Sequence, residues 1–133
     1  WGALIVIQRE TGLRSYKDQG MQIRGEVTPS LLLSIFSPSS PLHDGAVIIQ
    51  NDLIDSAACI LPLTESKMID SDMGTRHRAA IGISEETDAI VIIVSEEKSK
   101  VSVAENGKFV KRNLRESTLE KYLNDKMFIS TED

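Results

Sequence analysis

The chain has 133 residues, of which 41% are hydrophobic and 26% are charged, with a formal net charge of −5 and a single cysteine. This composition describes one folded domain and excludes a disordered chain. The acidic balance excludes broad binding to a nucleic-acid backbone, and the lone Cys59 excludes an intramolecular disulfide or a cysteine zinc cluster, as expected in a reducing compartment. Neither a secretion signal nor a membrane-spanning run of about 18 apolar residues is recognisable. Because the chain begins at Trp1 rather than Met, we expect it to be a fragment of a longer protein.

The N-terminal third predicts a buried strand followed by a helix. The continuous apolar run Ala3–Ile7 is typical of a strand buried on both faces. The polar, glycine-punctuated segment 12–26 predicts a loop with at most one helical turn. Thr28 is the predicted N-cap of a helix, Pro29 suits its first position, and the segment 37–41 ends it. The predicted buried stripe of this helix consists of Leu31, Leu32 and Ile35.

The middle of the chain predicts a hairpin and a second helix. Strands 46–49 and 54–61 are joined across Asn51 and Asp52, and a polar connection follows over residues 64–73. Thr75 is the predicted cap of a helix that runs to about Glu86. Its predicted buried residues are Ala79, Ala80 and Ile83.

The C-terminal third predicts a buried strand, a second hairpin and a short helix. Residues 89–94 are strongly β-branched, and Asn106 and Gly107 are a typical turn between strands 100–104 and 108–110. The final helix would bury Leu119, Tyr122 and Leu123. Together these elements predict a single α/β domain over residues 1–133, with a mixed sheet and helices on both faces.

A first polar cluster, Leu42–Ala46, lies where a proline-rich loop enters a strand. Asp44 at this point can bind a divalent cation or accept a proton from a hydroxyl, and Gly45 lets a ligand approach the backbone. The alternative is structural, because Asp-Gly is a common turn and His43 could merely cap it.

A second cluster, Gly74–Arg78, lies at the predicted start of a helix, where free N–H groups and the helix dipole favour an anion. Arg76, His77 and Arg78 add charge-assisted donors suited to phosphate. Cations oppose the dipole at this end, and such broken local rules are typical of functional sites. The alternative is a solvated basic turn paired with Glu85 or Glu86.

A third cluster, Ser95–Glu97, directly follows a buried strand. Ser95 can donate to phosphate, and a glutamate can complete a metal site begun by His43 or Asp44. The alternative is an acidic turn with solvated carboxylates. Cys59, within an apolar run, is interpreted as a buried structural residue rather than a nucleophile.

The three clusters, in this order, resemble the diadenylate cyclase (DAC) domain family. The strings from Pro41 to Ile49 and from Gly74 to Gly82 are especially similar to its membrane-anchored CdaA type, and the resemblance runs from Gly2 to about Gly107. No phosphate-binding P-loop, G-x-G-x-x-G fingerprint or G-x-S-x-G elbow is present to suggest another nucleotide or hydrolase family.

The resemblance implies an enzyme that condenses two ATP molecules into cyclic di-AMP and releases two pyrophosphates. It implies Mg²⁺ or Mn²⁺, a homodimer with two facing active sites, and attack of each ribose 3′-hydroxyl on the opposite α-phosphate. Membrane helices preceding the domain would hold it at the cytoplasmic face of the cell membrane. Nucleic acid is not an expected partner, and the sequence leaves room for a protein regulator.

The resemblance also assigns roles to individual residues. Catalysis would involve Asp44, Arg76, His77 and Arg78. Nucleotide binding would involve Asp44, Gly45, Ala46, Ile60, Leu61, Gly74, Thr75, Arg76, His77, Arg78 and Ser95. The metal would be held by His43, Asp44 and Glu97, with Glu96 as the alternative glutamate.

The sequence departs from the family pattern at two places, and two alternative functions are consistent with it. Relatives carry an aromatic residue at the position of Ile60, and a short Thr-Gly turn where this chain has Lys98, Ser99 and Lys100. One alternative function is a catalytically silent module that binds ATP or cyclic di-AMP. The other is an interaction domain whose polar clusters are surface turns, which would show no saturable ATP binding.

Overall fold

The computed structural model describes residues 2–66, 74–95 and 100–114. These ranges contain ten elements: β1 (Ala3–Ile7), α1 (Arg14–Lys17), β2 (Met21–Glu26), α2 (Pro29–Phe36), β3 (Ala46–Gln50), β4 (Leu53–Cys59), α3 (Thr75–Glu86), β5 (Ile90–Val94), β6 (Val101–Glu105) and β7 (Lys108–Leu114). The strands form one sheet in the order β2-β4-β3-β1-β5-β6-β7. β1 is parallel to β3 and antiparallel to β5, so the sheet is mixed, as predicted. The predicted C-terminal helix lies outside the described residues.

The central strand β1 shows why both faces of the sheet are covered. Its side chains alternate between two apolar cores, because successive residues of a strand point to opposite faces. Leu4 and Val6 belong to the core that contains buried residues of α3. Ala3 and Ile5 belong to the core beneath α2. The prediction of helices on both faces is therefore confirmed.

Helix α2 begins as its sequence predicts. The Thr28 hydroxyl accepts a hydrogen bond from the Leu31 amide at 3.1 Å, and Pro29 occupies the first helical position. The predicted stripe was incomplete, because Ile35 and Phe36 are its fully buried residues. Leu31 and Leu32, which were predicted to be buried, are only partly buried and pack against the same core.

Helix α3 begins differently from the prediction. Its N-cap is Gly74, which has no side chain to cap the helix, whereas Thr75 is the first helical residue. The prediction of Thr75 as the cap was wrong because Gly74 already supplies the extended backbone that a cap needs. Residues 79–84 of α3 are all buried, which places this part of the helix inside the molecule.

The segment predicted as a loop contains an edge strand, β2. It pairs with β4, and a bulge interrupts the pairing where Arg24 adopts a φ of 53°. Its residues are exposed or only partly buried, so it lacks the apolar run that marked β1. The prediction of a loop over this segment was wrong for that reason, although its helical turn is present as α1.

Both predicted hairpins are present. Asn51 and Asp52 turn between β3 and β4 with φ of 52° and 66°, and Asn106 and Gly107 turn between β6 and β7 with φ of 55° and 79°. Two consecutive positive φ angles are the geometry that tight hairpins favour, and Asn, Asp and Gly tolerate it best. Strand β4 ends at Cys59, two residues earlier than predicted.

Candidate functional site

Four strand ends meet at one end of the sheet, which we call the site end. The start of β1 lies beside the end of β5, since Ala3 pairs with Val94. The parallel pairing of β1 with β3 brings the start of β3 to the same end, and Ala46 in turn pairs with Cys59 at the end of β4. Asp44 and Gly45, Ile60 and Leu61, and Ser95 therefore flank the same end of the sheet.

Helix α3 brings its N-terminus to the site end. Its last turn lies at the opposite end, where the Gly107 amide donates to the Ser84 hydroxyl at 3.0 Å. Near its start, the Arg78 carbonyl accepts a hydrogen bond of 3.1 Å from the Thr64 amide, in the segment that follows β4. The cluster Gly74–Arg78 thus joins the other two clusters, as a nucleotide site built from all three requires.

The first turn of α3 is suited to an anion. It contains no acidic side chain, and its N-cap residue, Gly74, has no side chain that could cap the backbone N–H groups. Arg76, His77 and Arg78 are half-buried there, so their long side chains are partly held by the protein. Backbone donors, the helix dipole and two guanidinium groups together favour a phosphorylated ligand.

The turn that carries Asp44 is packed closely against β4. Gly45 has a φ of 99°, and a Cβ at this position would lie 2.9 Å from the Ala58 carbonyl carbon. Ala58 itself has a φ of 54°, at a bulge in the pairing of β3 with β4. Positive φ at alanine is strained and typical of functional sites. Asp44 is exposed on this turn, where a ligand can reach its carboxylate.

His43 is held in one tautomer by the loop that precedes it. Its Nδ1 lies 2.7 Å from the Ser40 carbonyl oxygen. Because a carbonyl oxygen only accepts, Nδ1 carries the proton and Nε2 has the free lone pair. This is the arrangement that orients histidine for a metal ion.

The segment after β4 presents an apolar surface at the site end. Ile60 is 67% exposed and Leu63 is 51% exposed, whereas Leu61 is buried. Behind them, Pro62 packs so closely on α3 that a Cβ on Gly82 would lie 1.9 Å from its carbonyl oxygen. The segment is thus fixed to the helix while its exposed side chains remain available to a flat apolar ligand.

His77 contacts an aromatic residue that the sequence reasoning did not single out. Its ring lies edge-to-face with that of Phe109 on β7, with 5.8 Å between ring centroids and an interplanar angle of 65°. In the sequence, Phe109 is marked only as part of the strand predicted over residues 108–110 after the Asn106-Gly107 turn. No local signal connects it to His77.

The third cluster is described only in part. The Ser95 amide donates to the Lys100 carbonyl at 2.9 Å, which closes the connection between β5 and β6, and Ser95 is half-buried. Glu96 and Glu97 lie outside the described residues, as do Lys98 and Ser99. Within the described ranges no group of three His, Cys, Asp or Glu residues is close enough to hold a metal ion. His43 and Asp44 are the predicted ligands that these ranges contain.

Cys59 is buried, as predicted. Burial raises the pKa of its thiol, and the Sγ lies 3.3 Å from the Ser56 hydroxyl, which lowers it less. A buried thiol with a raised pKa is a poor nucleophile. Cys59 is therefore a structural residue of β4.

A mixed sheet whose strand ends meet a cationic helix N-terminus defines a class of protein, the α/β domains that bind a phosphorylated ligand at one end of the sheet. Within that class, residues 1–109 match the family described as DisA bacterial checkpoint controller nucleotide-binding. The chain belongs to this DAC family.

Individual relatives and solved structures support membership of this family. The chain is 50% identical over 132 residues to the cyclic di-AMP synthase CdaA of Bacillus subtilis, covering 99% of this chain and 48% of the relative. A crystal structure of a double mutant of DacA from Staphylococcus aureus is 46% identical with a TM-score of 0.91, covering 96% of this chain and 84% of that one. A hypothetical membrane spanning protein from Bacillus cereus is 50% identical with a TM-score of 0.80, covering 85% and 55%.

The chain spans about half the length of the curated relatives it matches. Among the helices of the described ranges, none has the length and apolar character needed to cross a membrane. That the domain extends past the matched residues to residue 133 stays a prediction.

Proposed function

We propose that this chain is the catalytic domain of a diadenylate cyclase, which condenses two ATP molecules into cyclic di-AMP and two pyrophosphates. The observation that carries the proposal is the meeting of Asp44, the apolar segment at Ile60 and the first turn of α3 at one end of the sheet. The name of the Bacillus subtilis relative, at 50% identity, supports the same activity.

The triphosphate is proposed to bind at the start of α3. Backbone N–H groups of Gly74 and Thr75, with the side chains of Arg76, His77 and Arg78, offset its charge. The same donors stabilise the pyrophosphate as the bond between the α- and β-phosphates breaks. Donors fixed before the reaction are effective here because they need no reorganisation as charge develops.

The ribose and the base are proposed to bind beside the turn of Asp44. Gly45 and Ala46 contact the ribose, and Ser95 adds a phosphate contact. The Asp44 carboxylate accepts the proton of the 3′-hydroxyl as that oxygen forms a bond to the α-phosphate of the opposite nucleotide. The Leu61 backbone pairs with the edge of adenine, and Ile60 packs on its face.

A divalent cation, Mg²⁺ or Mn²⁺, is proposed to be held by His43 and Asp44. The free lone pair of His43 Nε2 and the exposed Asp44 carboxylate fit such an ion. Glu97, or alternatively Glu96, is the predicted third ligand. The ion supplies charge neutralisation at the phosphates and lowers the pKa of the attacking hydroxyl.

Each chain supplies half of the reacting groups, so activity requires two ATP-loaded copies facing each other. The product is then made at a rate that depends on domain concentration, because the encounter of two chains limits it. In the full-length protein we propose a position at the cytoplasmic face of the cell membrane, with preceding helices as the anchor and room for a protein regulator.

The test is a product assay. The domain at high concentration is incubated with ATP and Mn²⁺ or Mg²⁺, and the nucleotides are separated by chromatography with mass detection. Cyclic di-AMP is expected from the native chain and from Asp52→Asn, a matched change in the exposed turn between β3 and β4. Asp44→Asn should abolish it while ATP binding persists.

Two outcomes would reject the proposal. Saturable ATP binding without product, in a crosslinked dimer and at every concentration, would identify a silent nucleotide-binding module instead. An absence of saturable ATP binding in the presence of Mn²⁺ would leave the interaction domain. Product formation that survives Asp44→Asn would refute the role of Asp44 alone.

A further inference from the structure

The edge-to-face contact between His77 and Phe109 joins the site to the sheet strand farthest from the Asp44 turn. Phe109 lies on β7, the last strand in the sheet order, outside the three clusters that define the site. It is half-buried and packs against the core that contains α3. The ring therefore packs against the core and also contacts His77.

The hairpin of β6 and β7 is fixed to α3 at a second point. The Gly107 amide donates to the Ser84 hydroxyl, which in turn donates to the Ile81 carbonyl at 3.0 Å. Ser84 follows His77 by seven positions, which is about two helical turns, so both residues lie on the same side of α3. Two contacts along one side of the helix keep Phe109 in a constant position relative to His77.

We propose that Phe109 is a positioning residue of the nucleotide site, whose ring holds the His77 imidazole in one orientation toward the triphosphate. The proposal rests on the proposed function, in which His77 contacts phosphate. A histidine side chain has several staggered rotamers to choose from. Edge-to-face contact with a fixed ring favours one of these rotamers. A donor nitrogen of His77 is then already directed at the leaving pyrophosphate, and the side chain does not have to change rotamer first.

A double-mutant cycle tests this role, because it isolates the coupling between two residues from their separate effects. Phe109→Leu is introduced into the native chain and into the His77→Ala variant. The kcat and the KM for ATP are then measured for all four proteins. Phe109→Tyr keeps the ring, and Val110→Ala removes volume from the neighbouring half-buried position of β7.

We expect Phe109→Leu to lower kcat by about 2- to 10-fold, the range of an aromatic pair. KM should change less than twofold, because Arg76 and Arg78 still bind the triphosphate. Phe109→Tyr should restore kcat, Val110→Ala should leave it unchanged, and Phe109→Leu should have no further effect in His77→Ala. A purely structural role would instead lower kcat equally in both backgrounds.

A second measurement does not depend on turnover. The chain has two histidines, so two sets of imidazole signals are expected in the NMR spectrum. The His77 signals should be displaced by the Phe109 ring current in the native chain and in Phe109→Tyr, and return to ordinary positions in Phe109→Leu. Unmoved His77 signals in Phe109→Leu would overturn the proposal.

The two proposals fail in distinguishable ways. If the native domain binds ATP but makes no cyclic di-AMP, the proposed function fails, and the positioning role is then decided by the His77 NMR signals, which do not require turnover. Unmoved His77 signals in Phe109→Leu, or an absence of coupling between the two residues in kcat where the enzyme is active, overturns the positioning role. If ATP does not bind at all, both proposals are wrong.

Discussion

Gly82 packs so closely against Pro62 that even an alanine at this position should destabilise the fold. In Gly82→Ala the new Cβ would lie 1.9 Å from the Pro62 carbonyl oxygen and 3.1 Å from the Thr64 amide nitrogen. The segment after β4 must retreat by roughly an ångström, since a Cβ contact under about 3 Å is not tolerated. Overpacking costs about 1–3 kcal/mol, and an approach of 1.9 Å to a backbone atom places this change in the upper half of that range, at about 2–3 kcal/mol. Alanine gains about 1 kcal/mol over glycine within a helix. We expect a net loss of about 1–2 kcal/mol in the free energy of unfolding.

The assay is urea unfolding followed by far-UV circular dichroism, with thermal unfolding as a second measure. The loss corresponds to a fall in Tm of about 3–10 °C for a domain of this size. The matched control is Gly12→Ala, because nothing lies within 4 Å of a Cβ at that position. It should change the stability by less than about 0.5 kcal/mol. If Gly82→Ala is as stable as the native chain, or Gly12→Ala is equally destabilised, the reasoning from close packing is refuted.

Three further predictions concern the site end and the opposite end. Gly45→Ala should lower both the free energy of unfolding and cyclic di-AMP synthesis, because alanine at a φ of 99° is strained and its Cβ would contact the Ala58 backbone. Unchanged values in urea unfolding and in the product assay would contradict this prediction. Ile60→Tyr should tighten ATP binding by about tenfold in calorimetry, because base stacking on an aromatic ring contributes about 1–3 kcal/mol. Equal affinity would show that the exposed isoleucine already packs on the base as favourably as an aromatic ring. The hydrogen bond from Tyr16 to Glu86 raises the pKa of Tyr16 to about 12, so the folded chain holds this proton more tightly than the unfolded chain. This stabilisation is complete below about pH 10 and is lost as the pH rises toward 12. The difference in the free energy of unfolding between the native chain and Tyr16→Phe should therefore shrink over that interval in urea titrations, and a constant difference would exclude the effect.

Elements that bury a continuous apolar run, or that carry a specific turn signal, could be predicted from the sequence. Strand β1 matches its prediction because Ala3–Ile7 is apolar on both faces, and the Asn106-Gly107 turn fixes the last hairpin. Strand β2 could not be found, because an exposed edge strand with a bulge at Arg24 has no apolar periodicity.

The site residues likewise differ in whether the sequence could predict them. Chain-local chemistry marked Asp44 and the cluster around His77, since turn and helix-end signals are readable within a few residues. The pairing of His77 with Phe109 was not readable, because it depends on how β7 packs beside α3. Gly82 was likewise unmarked as a contact of Pro62, because an isolated helical glycine gives no indication of what approaches it.

Helix α3 joins two parts with opposite tolerance of change. Its first turn is polar and only partly covered, while residues 79–84 are buried in succession and include Gly82, where no larger side chain fits. In a saturation mutagenesis library selected for folding alone, the first turn should accept many residue types and the buried part almost none. If the proposed site is correct, variation in α3 that alters nucleotide binding without loss of the fold is expected in the first turn and not in residues 79–84. One helix therefore carries both a segment that is open to evolutionary change and a segment that is closed to it.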